Sequence, residues 1–222
     1  MLNLIAGVAG CCLLALAAYK DNSRPPIVST GVETMAADKW DIQHSPGMLL
    51  RPLAGDGGWY FDFPGSAGSV GYVTTLTSMA ASSGIAASIM VVVTGNPVFN
   101  YKLEANNTCD FPAHVRLFLQ RQGDDLSGVG PKQYFRWWSI EAAFKLKAGE
   151  AMLTESFANL DKWVSVFGKR GDADAEATAG LQDAVRNLAR IGFTFGGGCF
   201  YGHGVNITNG SARFIATSFN VK

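Results

Sequence analysis

From Trp59 to the end of the chain, short runs of β-branched and aromatic residues alternate with polar ones, and Gly, Pro, Asn or Asp separates one run from the next. A period of two puts successive side chains on opposite faces, so each run can bury one face only as a strand. Residues 70–76, 88–94, 98–104, 114–122, 133–140, 143–147 and 152–157 read as strands, followed by 191–195, 204–208 and 212–221. Gly95-Asn96-Pro97 and Gly123-Asp124-Asp125 supply turn chemistry. One segment breaks the pattern: Ala177, Leu181, Ala184, Val185 and Leu188 recur at three-four spacing within 174–190. Asp172 or Asp174 can cap the start of this helix, and Arg186 and Arg190 complement its C-terminal dipole. About ten strands and one helix predict an all-β fold, an antiparallel two-sheet jelly-roll sandwich with one inserted α-helix at about 174–190.

Apolar residues make up 48% of the 222 and charged residues 16%, enough for a substantial core in one domain. Eighteen basic and eighteen acidic residues cancel, so the clustered positive charge of a nucleic-acid binder is missing. Leu2 to Tyr19 is apolar except for Asn3, a length that suits a secretory segment and is marginal for a span. Ala15-Leu16-Ala17 offers a cleavage site; Val8-Ala9-Gly10-Cys11 has the form of a lipobox, with Cys11 as the lipidated residue. The expected organisation is a signal peptide or membrane anchor at 1–19, a linker with leading loops at 20–57 and the sandwich at 58–222. The chain is expected to be exported, as a secreted, periplasmic or membrane-anchored protein that touches the membrane through residues 2–19 if they stay uncleaved. Cys11 and Cys12 lie in the hydrophobic segment, leaving Cys109 and Cys199 as one disulfide or two unpaired thiols.

Alternation also assigns faces. In 114–120, Val115, Leu117 and Leu119 share one face, and His114, Arg116, Phe118 and Gln120 the other. In 134–138, Phe135 and Trp137 oppose Tyr134, Arg136 and Trp138. In 59–63, Trp59, Phe61 and Phe63 point inward, with Tyr60 and Asp62 outward. A face mixing aromatics with Arg and Gln suits a sugar, whose C–H surface stacks on a ring while its hydroxyls bond the polar groups. The competing reading is structural packing, and for Trp59, Trp137 and Trp163 core packing is the expectation. Tyr134, Arg136, Trp138, Arg116 and Gln120 are the candidate platform, with Tyr60 and Asp62 as further candidates. The glycine-rich stretch 196–204 lacks the lysine of a phosphate loop and reads as a sharp turn that leaves Tyr201 and His203 at its tip.

Catalytic chemistry is not singled out. Glu141, Glu150, Glu155 and the Asp124-Asp125 pair show no spacing that sets two carboxylates across a cleft, and no Gly-x-Ser-x-Gly occurs. His44, His114 and His203 lie far apart, against a zinc site. A structural calcium could draw oxygen ligands from Asp56, Asp62, Asp124 or Asp125, although no loop has the spacing of a recognised site.

Tyr134-Phe135-Arg136-Trp137-Trp138-Ser139, then Ile191-Gly192-Phe193-Thr194-Phe195-Gly196-Gly197-Gly198 and the closing Ala212-Arg213-Phe214-Ile215, resemble jelly-roll carbohydrate-binding modules and galactose-binding-like domains. The resemblance covers 59–222 and implies glycan binding on a sheet face or at loop tips, often with a structural calcium; the helix at 174–190 departs from a minimal module. The leading expectation is therefore an exported, non-catalytic glycan-binding domain. The alternatives are a cell-surface assembly protein that binds another protein, and a glycan-active hydrolase or lyase.

Overall fold

The structure, a computed structural model, describes residues 35–77, 83–101, 112–197 and 201–222. The hydrophobic segment at 1–19 and the pair Cys109 and Cys199 lie outside the described residues. Two antiparallel sheets pack face to face. The six-stranded sheet has β1 (Trp40–Gln43), β4 (Tyr72–Leu76), β10 (Leu188–Gly196), β6 (His114–Arg121), β7 (Arg136–Lys145) and β9 (Trp163–Ser165), in that spatial order. The five-stranded sheet runs β2 (Leu53–Gly55), β3 (Gly58–Asp62), β11 (Val205–Val221), β5 (Gly84–Tyr101) and β8 (Gly149–Ser156). Leaving aside β1, β2 and β9 at the edges, β3 pairs with β11, β4 with β10, β5 with β8 and β6 with β7. This pairing is a long hairpin rolled up on itself, so the sandwich is a jelly roll.

The inward rows of both sheets close one core. Trp40, Trp59, Phe193, Phe214 and Phe219 pile up at its centre, with ring centroids 4.6 Å apart for Trp40–Trp59 and 5.3–5.4 Å from Phe193 to Phe219 and Phe214. Such tilted and edge-on contacts add to the area that burial removes from water. Trp59, Phe61 and Phe63 face this core and Tyr60 and Asp62 face outward, as the alternation requires.

Four boundaries differ from the sequence reading, each because pairing overrides a local signal. The run at 88–94 and the described part of the run at 98–104, through Tyr101, belong to one strand: β5 continues through Gly95-Asn96-Pro97 because β11 follows alongside, its partner pairing shifting between Thr208 and Gly210. The same bulge joins 204–208 to 212–221 as β11. The start of the 133–140 run is a 3-10 turn at Gly130–Tyr134, and β7 then runs unbroken from Arg136 to Lys145, joining the rest of that run to most of the one expected at 143–147. The sandwich also begins before residue 58: β1 pairs with β4 and its Trp40 is fully buried, so part of the expected linker belongs to the core.

α1 (Ala175–Arg186) is the one α-helix among the described residues. Asp174 caps it, accepting from the Ala177 amide at 2.8 Å, and Ala177, Leu181 and Ala184 are fully buried against the sandwich. The helix ends before the expected boundary because Leu188 and Arg190 are already paired in β10.

Candidate functional site

The outward face of the six-stranded sheet brings together most of the residues singled out from the sequence. Arg116, Phe118 and Gln120 come from β6, Arg136 and Trp138 from β7, and Tyr72 and Thr194 from β4 and β10 beside them. Tyr201 reaches the same face from the glycine-rich loop: the Arg116 guanidinium carbon sits 4.5 Å from its ring centroid, and the Trp138 and Tyr201 rings are 6.1 Å apart. The predicted sheet platform and loop tip thus adjoin, with Tyr201 meeting Arg116 and Trp138. The chain returns so tightly that a Cβ on Gly202, whose φ is +78°, would lie 2.2 Å from the Tyr72 hydroxyl oxygen.

The site has two halves. In the first, Tyr72, Phe118, Trp138 and Tyr201 form a small aromatic cluster with Val164, Ile140 and Val166, and Phe118 lies 5.0 Å from Tyr72 and 5.7 Å from Trp138. Arg116 is 8% exposed; its Nη1 donates to the Ser139 carbonyl at 3.1 Å and to the Ile140 carbonyl. Its Nε and the Trp138 Nε1 are buried donors without a hydrogen-bond partner. Burial pulls the Arg116 guanidinium below its ordinary value, and Tyr201 opposes that shift.

The second half is a closed polar network. Arg136 Nε lies 3.0 Å from Asp124 Oδ2, an ion pair off the N–H axis, and Arg136 Nη2 donates to the Leu126 carbonyl at 2.8 Å. Gln120 Nε2 donates to the same Asp124 oxygen at 2.8 Å, and the Asp124 side chain is fully buried. Burial pushes the Tyr72 hydroxyl above its usual value, while its contact with Arg136 pulls the other way.

The remaining predicted residues lie elsewhere. Tyr134 does not share a face with Arg136 and Trp138: it sits in the 3-10 turn, where strand alternation does not hold, and packs into the main core. Its ring stacks 5.9 Å from Trp137, and its hydroxyl accepts from Lys169 Nζ at 3.1 Å. Trp137 and Trp163 are core residues as expected, their indole N–H groups donating to the Tyr134 and Ser156 carbonyls. His203 is exposed beside the loop tip. Tyr60 and Asp62 are on the opposite side of the molecule, on the outward face of the five-stranded sheet. There Arg213 lies 3.9 Å over the Tyr60 ring and donates to Asp62 and Asp56. Asp56, Asp62 and Arg213 border an open groove of about 750 Å³ floored by Met90, Val92 and Ile215.

Each of the four aspartates considered for calcium faces a basic side chain: Asp56 and Asp62 face Arg213, Asp124 faces Arg136, and Asp125 faces Lys132. No group of three or more metal-ligating side chains occurs among the described residues. Among the same residues no helix is long and apolar enough to cross a membrane. Tyr72 completes the site but carried no sequence signal, and Asp124 was legible only as a turn residue and possible calcium ligand, because strand pairing and a loop return bring them in. Comparison with protein-family models, curated proteins and solved structures finds no match to this chain.

Proposed function

We propose that the protein is an exported, non-catalytic glycan-binding jelly-roll domain whose site is the outward face of the six-stranded sheet under Tyr201. The observation that carries this reading is the pair of unpartnered buried donors, Trp138 Nε1 and Arg116 Nε, beside the Tyr201 ring. A buried donor without an acceptor loses its hydration for nothing in return, and a ligand oxygen restores the bond. Aromatic rings beside those donors offer the apolar counterpart to a sugar's C–H face. The Arg136–Asp124–Gln120 network supports the site from one side and is internally paired, so its role is to hold β6, β7 and the following loop in place.

The test is a titration of the full chain with a glycan panel, followed by tryptophan fluorescence. A saturable change is expected, and Trp138→Phe should weaken it at least about tenfold because the ring stays and the N–H goes. Tyr201→Ala should weaken it too, with the circular dichroism of both variants unchanged. A folded protein that is silent across the panel would sink the reading and turn attention to a protein partner. A specific observation favours that second reading: Val92 and Met152 stand exposed on the five-stranded sheet, Val92 in the groove bordered by Arg213 and Met152 in a second groove that shares Met90 with it.

A further inference from the structure

We propose that the site under Tyr201 selects an acidic sugar, with a ligand oxyanion (the carboxylate of a uronic acid or a sulfate ester) held between the Arg116 guanidinium and the Trp138 indole N–H. The inference rests on the glycan reading above and adds the charge of the ligand. Three other arginines belong to the six-stranded sheet, and each faces an aspartate: Arg121 faces Asp183, Arg136 faces Asp124 and Arg190 faces Asp41. Arg116 is different. It is more than nine-tenths buried, its bonded partners are the Ser139 and Ile140 carbonyls, and it has no carboxylate partner among the described residues.

A buried guanidinium without a counter-charge is costly, and the carbonyl bonds and the Tyr201 ring compensate it only in part. The nearby acid, Asp124, is already engaged by Arg136 and Gln120. Of the three buried donors on this face without a hydrogen-bond partner, Arg136 Nε lies beside the Asp124 carboxylate; the other two, Arg116 Nε and Trp138 Nε1, face no acid among the described residues, and neither can accept. A neutral hydroxyl both donates and accepts, and a site shaped for it offers both kinds of partner. A donor-only pair that includes a fixed cation matches an acceptor-only oxyanion, through short charge-assisted bonds.

The experiment titrates the full chain with galacturonic acid oligosaccharides, with their fully methyl-esterified counterparts, and with sulfated galactan oligosaccharides. The esters keep the sugar skeleton and lose the charge. The expected result is that the acid or the sulfated set binds at least about tenfold tighter than the ester, and that this preference shrinks as salt rises. Whichever anionic set binds identifies the source of the oxyanion. Arg116→Gln should abolish the preference, and Arg116→Lys should keep part of it because the charge remains. If Arg116→Gln does not fold, the acid-to-ester ratio of the unaltered protein decides alone. Equal binding of acid and ester, or binding of neutral glycans only, overturns the proposal while leaving the glycan reading standing. Failure of every glycan, charged or neutral, overturns both.

Discussion

The pair Arg136 and Asp124 shows how a single contact can hold a loop to a sheet. The Asp124 side chain is fully buried, takes Gln120 and Arg136 on one oxygen, and through its other oxygen accepts the Leu126 amide at 3.0 Å. Removing the guanidinium would strand a buried carboxylate. Arg136→Ala should therefore lower stability by about 3–5 kcal/mol, read from urea denaturation, whereas Arg136→Lys should recover part of the loss. A change below about 1 kcal/mol would show that the carboxylate is rescued by water or by Gln120. Tyr72 titrates in the same direction as its burial: its raised value makes its neutral form the folded one. Its contribution is full below the unfolded value near 10 and falls away as pH rises through the raised folded value. Tyr72→Phe should remove that alkaline component of the stability curve.

At the scale of the element, α1 packs closely enough to invert an ordinary helix rule. Glycine inside a helix usually costs about 0.5–1 kcal/mol relative to alanine. At Gly180, however, a Cβ would lie 2.6 Å from the Tyr134 Cβ and 2.7 Å from its Cγ, so helix and 3-10 turn touch there. Gly180→Ala should destabilise by about 1–3 kcal/mol despite the better propensity. A gain in melting temperature would show that the helix can move off Tyr134. The start of the helix carries a pH signature. Lys169 and the Ala177 amide hold the Asp174 carboxyl below the ordinary carboxylate range. Its stabilising effect is complete above the unfolded value near 3.9 and is lost as pH falls through the lower folded value. Asp174→Asn keeps a capping oxygen but loses the charge facing Lys169 and the helix dipole, so it should flatten the acid side of the melting-temperature profile, below about pH 4, and leave the neutral side slightly less stable.

At the scale of the whole molecule, both sheets and the helix share one hydrophobic cluster that runs from Trp40 to Phe219. Far-ultraviolet circular dichroism and tryptophan fluorescence should therefore unfold at the same midpoint, and separated transitions would show two independent units. The defining pairs are distant in sequence: Phe61 lies against Phe214 and Ile85 against Val221. Closing such long loops before any contact is gained makes folding slow, so refolding should take milliseconds to seconds or longer by stopped-flow fluorescence.

Period-two alternation, broken by one stretch of three-four spacing, was enough to determine from sequence an antiparallel sandwich with one helix among the described residues, and it correctly turned Trp59, Phe61, Val115 and Leu117 inward. Such patterning is local, because the backbone of each strand dictates where successive side chains point. The capping aspartate and the burial of Ala177, Leu181 and Ala184 were legible for the same reason. Continuity across Gly95-Asn96-Pro97 was not, since it depends on β11 lying alongside. Nor was the fate of Tyr134, whose 3-10 turn removes it from the alternation. Arg116, Trp138 and Tyr201 are individually visible as polar or aromatic residues on outward faces and a loop. Their meeting, and the absence of an acid beside Arg116 among the described residues, arise only from the roll of the sheets, which brings Tyr201 into contact with Trp138 and Arg116, residues 63 and 85 positions before it. Side-chain chemistry and direction are properties of the residue and its strand; counter-charge and company are decided by tertiary packing, because charges and donors act through space rather than along the chain.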